Sequence, residues 1–131
     1  MSPNLSTTAP LPGSQSTSNL ATIVRDWALK EPDHILLSFK DQGEWVRVSA
    51  RELDQQISDM AKGLIQQGVK VGDRVALMSR TRYEWTVLDF AIFYAGGVTV
   101  PIYETSSSEQ VLWILQDSGA KHVIVETPQL Y

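Results

Sequence analysis

Apolar residues recur along this chain with two periods, and the switches between them divide it into elements. Leu20, Ile23, Val24 and Trp27 fall at helical spacing behind Asn19, a residue suited to cap a helix, and Pro32 stops that helix near Glu31. Two short apolar runs follow, ILLSFK at 35–40 and WVRVS at 45–49, on either side of Asp41-Gln42-Gly43-Glu44. A glycine-bearing turn between two such runs predicts a β-hairpin. Ser49-Ala50-Arg51-Glu52 reads as a capping box, in which serine and glutamate satisfy each other's backbone N–H groups. Leu53, Ile57, Met60, Ala61, Leu64 and Ile65 make one apolar face of the helix behind it. Gly68 stands where a helix ends in a left-handed residue.

After a turn over Val69 to Asp73, strands and helices alternate. Arg74 to Ser79 reads as a strand, and Thr81-Arg82-Tyr83-Glu84 as a second capping box. The helix from Trp85 to Tyr94 keeps Asp89 as its only charge beyond the first turn. A helix apolar nearly all round is normally covered on more than one side. Gly96-Gly97 closes it, and Val98 to Tyr103 is the next strand. Ser106-Ser107-Ser108-Glu109 forms a third capping box, opening a helix that carries Val111, Leu112, Ile114 and Leu115 and stops at Gly119. Lys121 to Glu126 is the last strand. Thr127-Pro128 has the form of a cap and a first helical position, three residues before the final Tyr131.

Strands joined by helical crossovers pair in parallel and need helices on both faces. The fold class is therefore α/β: a layered parallel sheet preceded by an N-terminal helix and a β-hairpin. The strands and their helices make an incomplete layer, so the expectation is a truncated, N-terminal part of a larger domain.

Composition narrows the picture. The chain has 131 residues, enough for at most one domain. Twelve of the first nineteen residues are Ser, Thr, Pro or Gly, and no side chain is charged before Arg25. Such a segment buries too little apolar surface to offset its ordering entropy, so 1–19 is expected to be a disordered tail and 20–131 the folded body. A net charge of −4 without a basic stripe argues against a nucleic-acid partner. There is no cysteine, hence no disulfide or thiolate site. No basic region precedes an apolar run at the N-terminus, as a secretory signal would require. The longest uncharged stretch of the body, Phe90 to Tyr103, is shorter than the roughly 20 residues of a membrane helix. The expectation is a cytoplasmic protein without a transmembrane segment; peripheral membrane association and oligomeric state stay open.

The candidate chemistry is thin. The serine run could bind phosphate at a helix N-terminus, but no glycine lies between Tyr103 and Ser108, no cation follows, and a capping box uses the same N–H groups. A structural cap is the better reading. Gly63 to Lys70 imitates a phosphate-binding loop, yet Val69 separates the second glycine from the lysine and Val71 stands where a hydroxyl must hold magnesium. It reads as a helix end. The two histidines, His34 and His122, are far apart, and His122 in an apolar strand reads as structural. Asp89 is expected to have a polar partner, with Arg80 or Arg82 as candidates. Those two arginines invite an anion, though a salt bridge to Glu84 is the plainer reading. No hydrolase, dinucleotide or metalloprotease motif occurs, and no residue is assigned a catalytic, cofactor-binding or metal-ligating role.

Four stretches carry a resemblance. They are VSARELDQQISDMAKGL (48–64) with Gly68, GDRVALMSRTRYEW (72–85), AIFYAGGVTVPIYETSSSEQ (91–110) and DSGAKHVIV (117–125). Together they resemble the amino-terminal part of the adenylate-forming superfamily, the acyl-CoA synthetases and other AMP-dependent ligases. VPIYETSS is most similar to the long-chain fatty-acid branch, and bacterial members in particular; Arg80 and Arg82 depart from the polar, often Asn-containing turn common there. The resemblance implies a parent enzyme that uses ATP, Mg2+ and CoA to turn a fatty acid into acyl-CoA through an acyl-adenylate. In that family a Ser/Thr/Gly-rich loop ending in Pro-Lys-Gly holds the ATP phosphates, and it lies beyond Tyr131, as do the acidic residue for ribose, the glutamate for magnesium and the catalytic lysine. The fragment alone is therefore expected to be inactive. Two alternatives remain: a stand-alone α/β binding module that covers its apolar helix by oligomerisation, and an adenylating ligase for an aryl or amino acid.

Overall fold

The computed structural model describes residues 19–128, which form nine elements in the expected order. Of the tail expected at 1–19, all but Asn19 lies outside the described residues, as does the chain after Pro128, where a further helix is expected. Helix α1 spans Leu20–Lys30. Asn19 is extended at its N-cap but uses its carbonyl rather than its side chain, accepting from the Thr22 N–H and hydroxyl at 3.1 Å each.

Strands β1 (Ile35–Asp41) and β2 (Glu44–Ser49) pair antiparallel. Gln42 and Gly43 turn the hairpin with φ of 47° and 90°. Two successive left-handed residues give the turn whose twist matches that of paired strands, and glycine accepts this conformation without strain.

Helix α2 (Ala50–Gln66) opens on the expected capping box: the Ser49 N–H donates to Glu52 Oε2 at 2.9 Å, and the Glu52 N–H donates to Ser49 Oγ at 3.4 Å. Its buried face is Ala50, Leu53, Ile57 and Ala61. Met60 and Ile65, expected on that face, are exposed. Past the end of α2, Gly68 takes a φ of 97°, and the Gly68 and Val69 N–H groups satisfy the Ile65 and Leu64 carbonyls.

The remaining elements are β3 (Arg74–Met78), α3 (Tyr83–Tyr94), β4 (Val98–Ile102), α4 (Ser108–Ser118) and β5 (His122–Val125). The strands form a parallel sheet of order β4-β3-β5. Successive side chains of β3 point to opposite faces. Val75 joins a core with Leu53 and Ile57 of α2 and with Val87, Ala91 and Ile92 of α3. Ala76 and Met78 join Ile102 in a second core, against Val111, Ile114 and Leu115 of α4. The two crossover helices thus cover opposite faces. The Val98 N–H donates to the Asp73 carbonyl, so strand alternation turns Thr99 and Pro101 away from β3. Proline, which has no N–H, is tolerated there because that edge of β4 has no partner strand among the described residues.

Two capping assignments need correction. Arg82, not Thr81, is the N-cap of α3, and its side chain makes no cap bond. Glu84 is engaged instead by the Arg82 guanidinium, a charge-assisted pair that outweighs a neutral hydroxyl cap. At α4 the box is Ser107 with Gln110 rather than Ser106 with Glu109. Both registers fit the run of serines; a turn in which the Ser106 N–H donates to the Tyr103 carbonyl selects the later one. The α3 helix buries Val87, Ala91 and Ile92 but leaves Trp85, Leu88, Phe90 and Phe93 half-buried. Within the described residues it is covered by α1, α2 and the sheet, and its remaining side is open.

Candidate functional site

Parallel strands bring all their carboxyl ends to one edge of the sheet. Because β3 leads to a helix on one face and β4 to a helix on the other, the chain diverges between them. Open α/β sheets bind ligands at such a divergence. A crevice of about 460 Å3 lies there, with Trp85, Pro101 and Ile102 as apolar lining and Ser79, Thr81, Tyr103 and Glu104 as its polar groups. A second cavity of about 830 Å3 lies on the other side of the β3–α3 loop, between Arg80, Thr81, Arg82 and Glu84 and the hairpin residues Phe39, Lys40 and Asp41.

The charges at this edge are spent on one another. Glu126, the residue after β5, accepts hydrogen bonds from the Arg80 N–H at 3.0 Å, Arg80 Nη2 at 2.7 Å and Arg82 Nη1 at 3.0 Å. Its side chain is 7% exposed. The Arg80 side chain and amide, with Arg82 adding to them, hold its carboxyl well below the usual range, at about 2. In return Glu126 pushes the Arg80 guanidinium up, and Glu84 foremost, with Glu126, does the same for Arg82. The plain reading of a salt bridge to Glu84 is correct for Arg82, but Glu126 was absent from it. The available signal was topological: residues that follow adjacent parallel strands meet at the same edge, whatever their sequence distance.

The other groups singled out in the sequence are scattered. Asp89 has no hydrogen-bond or ionic partner among the described residues, because Arg80 and Arg82 are committed elsewhere. It avoids the cost of an unpaired buried charge by standing half-exposed on the open side of α3. His34 stacks on Trp27 with ring centroids 4.6 Å apart. His122 lies 4.0 Å from Asp73, at the opposite edge of the sheet from Glu126. Asp73 is buried and accepts from Lys121 Nζ at 2.6 Å and the Lys70 N–H at 3.0 Å; Lys121, then Lys70, hold its carboxyl below the usual range. The Tyr94 hydroxyl donates to Asp54 at 2.7 Å beneath the Arg25 guanidinium, tying α1, α2 and α3 together; burial, then Asp54, push this phenol up. The glycines of the phosphate-loop imitation are helical at Gly63 and helix-ending at Gly68, as expected. At the serine run, Ser107 Oγ accepts from the Gln110 N–H at 3.3 Å, so the box occupies the donor a phosphate would use.

Among the described residues no three His, Asp or Glu side chains gather as a metal site. No described helix is long and apolar enough to cross a membrane. The edge presents a charge cluster beside a crevice of mixed apolar and polar lining.

Comparison with known proteins supplies what the geometry does not. The family model described as AMP-binding enzyme matches residues 24–130. The long-chain-fatty-acid–CoA ligase FadD15 of Mycobacterium bovis is 50% identical over 109 residues, 83% of this chain and 18% of that ligase. Bacitracin synthase 2 of Bacillus licheniformis is 32% identical over the same share of this chain, covering 4% of its own length. Among solved structures, a fatty acid AMP ligase from Legionella pneumophila superposes with a TM-score of 0.75 at 27% identity, over 86% of this chain and 20% of that one. The N-terminal subdomain of Klebsiella oxytoca NpsA superposes at 0.74 with 25% identity, over 83% and 28%. The chain thus spans about a fifth of the length of the ligase it matches at 50% identity.

Proposed function

Because the chain belongs to the AMP-binding enzyme family, we propose that it serves as the amino-terminal part of a long-chain fatty-acid–CoA ligase. The identity of 50% with FadD15 carries this reading. The lower identity to bacitracin synthase 2, 32% over an equally long match, supports a scaffold shared across the superfamily with the fatty-acid branch as the nearer one.

In the proposed parent reaction a fatty-acid carboxylate attacks the α-phosphate of ATP, giving an acyl-adenylate and diphosphate. The thiol of CoA then attacks the acyl carbon, giving acyl-CoA and AMP. No step of that chemistry is assigned to the residues described here, among which no three His, Asp or Glu side chains gather as a metal site. Their part is mechanical. The parallel sheet and the helices on its two faces set the carboxyl edge, and the Glu126 cluster fixes the loop that forms one wall of the crevice there. Groups that bind ATP, Mg2+ and CoA belong, on this reading, to other parts of the parent.

The test is palmitate-dependent ATP–pyrophosphate exchange, run on these 131 residues and on the product of the complete coding sequence. The expected result is background exchange for the first, and exchange with palmitoyl-CoA formation for the second. Robust exchange by the short chain would overturn the scaffold role. A full-length product that activates only aryl or amino acids would overturn the fatty-acid assignment.

A further inference from the structure

One carboxylate at the carboxyl edge holds one loop. The donors on Glu126 are Ser79 Oγ at 3.2 Å, the N–H and guanidinium of Arg80, and Arg82 Nη1. Among the described residues, the Ser79–Arg82 loop makes no other polar side-chain contact beyond itself and the first turn of α3. Apolar anchoring is absent as well, since the side chains of Arg80, Thr81 and Arg82 are all exposed. The same loop is a partition: Ser79 and Thr81 line the crevice between β3 and β4, while Arg80, Thr81 and Arg82 line the cavity against the hairpin. Loops with few buried contacts open locally at low cost. This one is held by a multidentate, charge-assisted cluster instead.

We propose that Glu126 is the positioning residue of the carboxyl-edge crevice, fixing the Ser79–Arg82 wall so that the crevice and the hairpin cavity stay separate. The wall leads directly into α3, so Trp85 in the crevice takes its place from the same carboxylate. A residue three strands and three helices downstream of the hairpin thereby sets the geometry of a site it does not line.

The experiment is amide and indole NMR on the whole chain and its Glu126→Gln variant, which keeps the shape and removes the charge. Exchange of the Arg80 amide is expected to accelerate at least about tenfold, the loss of a charge-assisted hydrogen bond. Amides of Val75 and Leu77 in β3 should stay as protected as before. Of the four tryptophan indole signals, that of Trp85 should move while those of Trp27, Trp45 and Trp113 hold. Glu126→Asp, which keeps the charge, should restore part of the Arg80 protection. The proposal is overturned if Arg80 exchange is unchanged, or rises only in step with Val75 and Leu77, since that would mark a general stability effect. If Glu126→Gln loses its dispersed spectrum, the milder Arg80→Met and Arg82→Met changes decide: a moved Trp85 with a protected β3 supports the proposal, and an unmoved Trp85 overturns it.

Discussion

Replacing Gly97 with alanine tests how tightly α3, β3 and β4 are joined. A Cβ at this position would stand 3.0 Å from Ile92 Cγ2, 3.2 Å from the Asp73 carbonyl oxygen and 3.3 Å from the Ile92 carbonyl oxygen. Neither carbonyl can withdraw freely. The Gly97 N–H donates to Ile92 O and the Val98 N–H to Asp73 O, each at 2.8 Å, and Ile92 is fully buried. Overpacking of this kind costs about 1–3 kcal/mol. Gly96 fails differently. Its φ of 79° is a left-handed conformation, and the Cβ would meet Val71 Cγ2 at 2.9 Å. Val71 is 86% exposed and can turn aside, which leaves the conformational cost of about 1–2 kcal/mol. Gly63 supplies the control: it lies inside α2 with nothing within 4 Å of a Cβ, so alanine there should stabilise by roughly 0.5–1 kcal/mol. Urea unfolding followed by circular dichroism reads all three as shifted midpoints at constant slope. A Gly97→Ala variant as stable as the parent chain would refute the reasoning, because the helix end would then have room that the geometry denies.

Two further outcomes follow from the same contacts. Ser107→Ala should cost about 1 kcal/mol by removing the α4 cap, whereas Ser106→Ala should stay within about 0.5 kcal/mol; the reverse ranking in thermal melts would restore the cap register expected from the sequence. In acid, the folded Glu126 carboxyl sits at about 2 against an ordinary 4.5, so its stabilisation is complete above the unfolded value and is lost as pH falls from about 4.5 toward 2. Glu126→Gln should therefore flatten the fall of the urea midpoint in that window, and parallel curves for the two proteins would contradict the pairing.

Much of this protein is local and hence legible. Helix starts at Ser49 and stops at Gly68 and Gly119 depend on residues within one turn, and the structure places them as the sequence reads. The hairpin is equally local, because Gln42-Gly43 supplies its turn. The misreadings arise where two local solutions compete. Three consecutive serines allow two capping registers, and a turn ending at Ser106 chose between them. Thr81 and Glu84 have the form of a box, but an arginine next to them offered the glutamate a stronger partner. Asp89 shows the opposite error, a partner expected from sequence proximity that geometry gave to another residue.

The order of elements, their type and the parallel pairing came from the sequence alone, since periodicity and capping act over a few residues and helical crossovers force parallel strands. The meeting of Arg80, Arg82 and Glu126, and the crevice beside them, was decided only by the tertiary structure. Glu126 lies more than forty positions from either arginine. Nothing in the chain between them announces the contact; it exists because parallel packing delivers the ends of β3 and β5 to one edge, where a carboxylate with little access to water meets two exposed guanidinium groups.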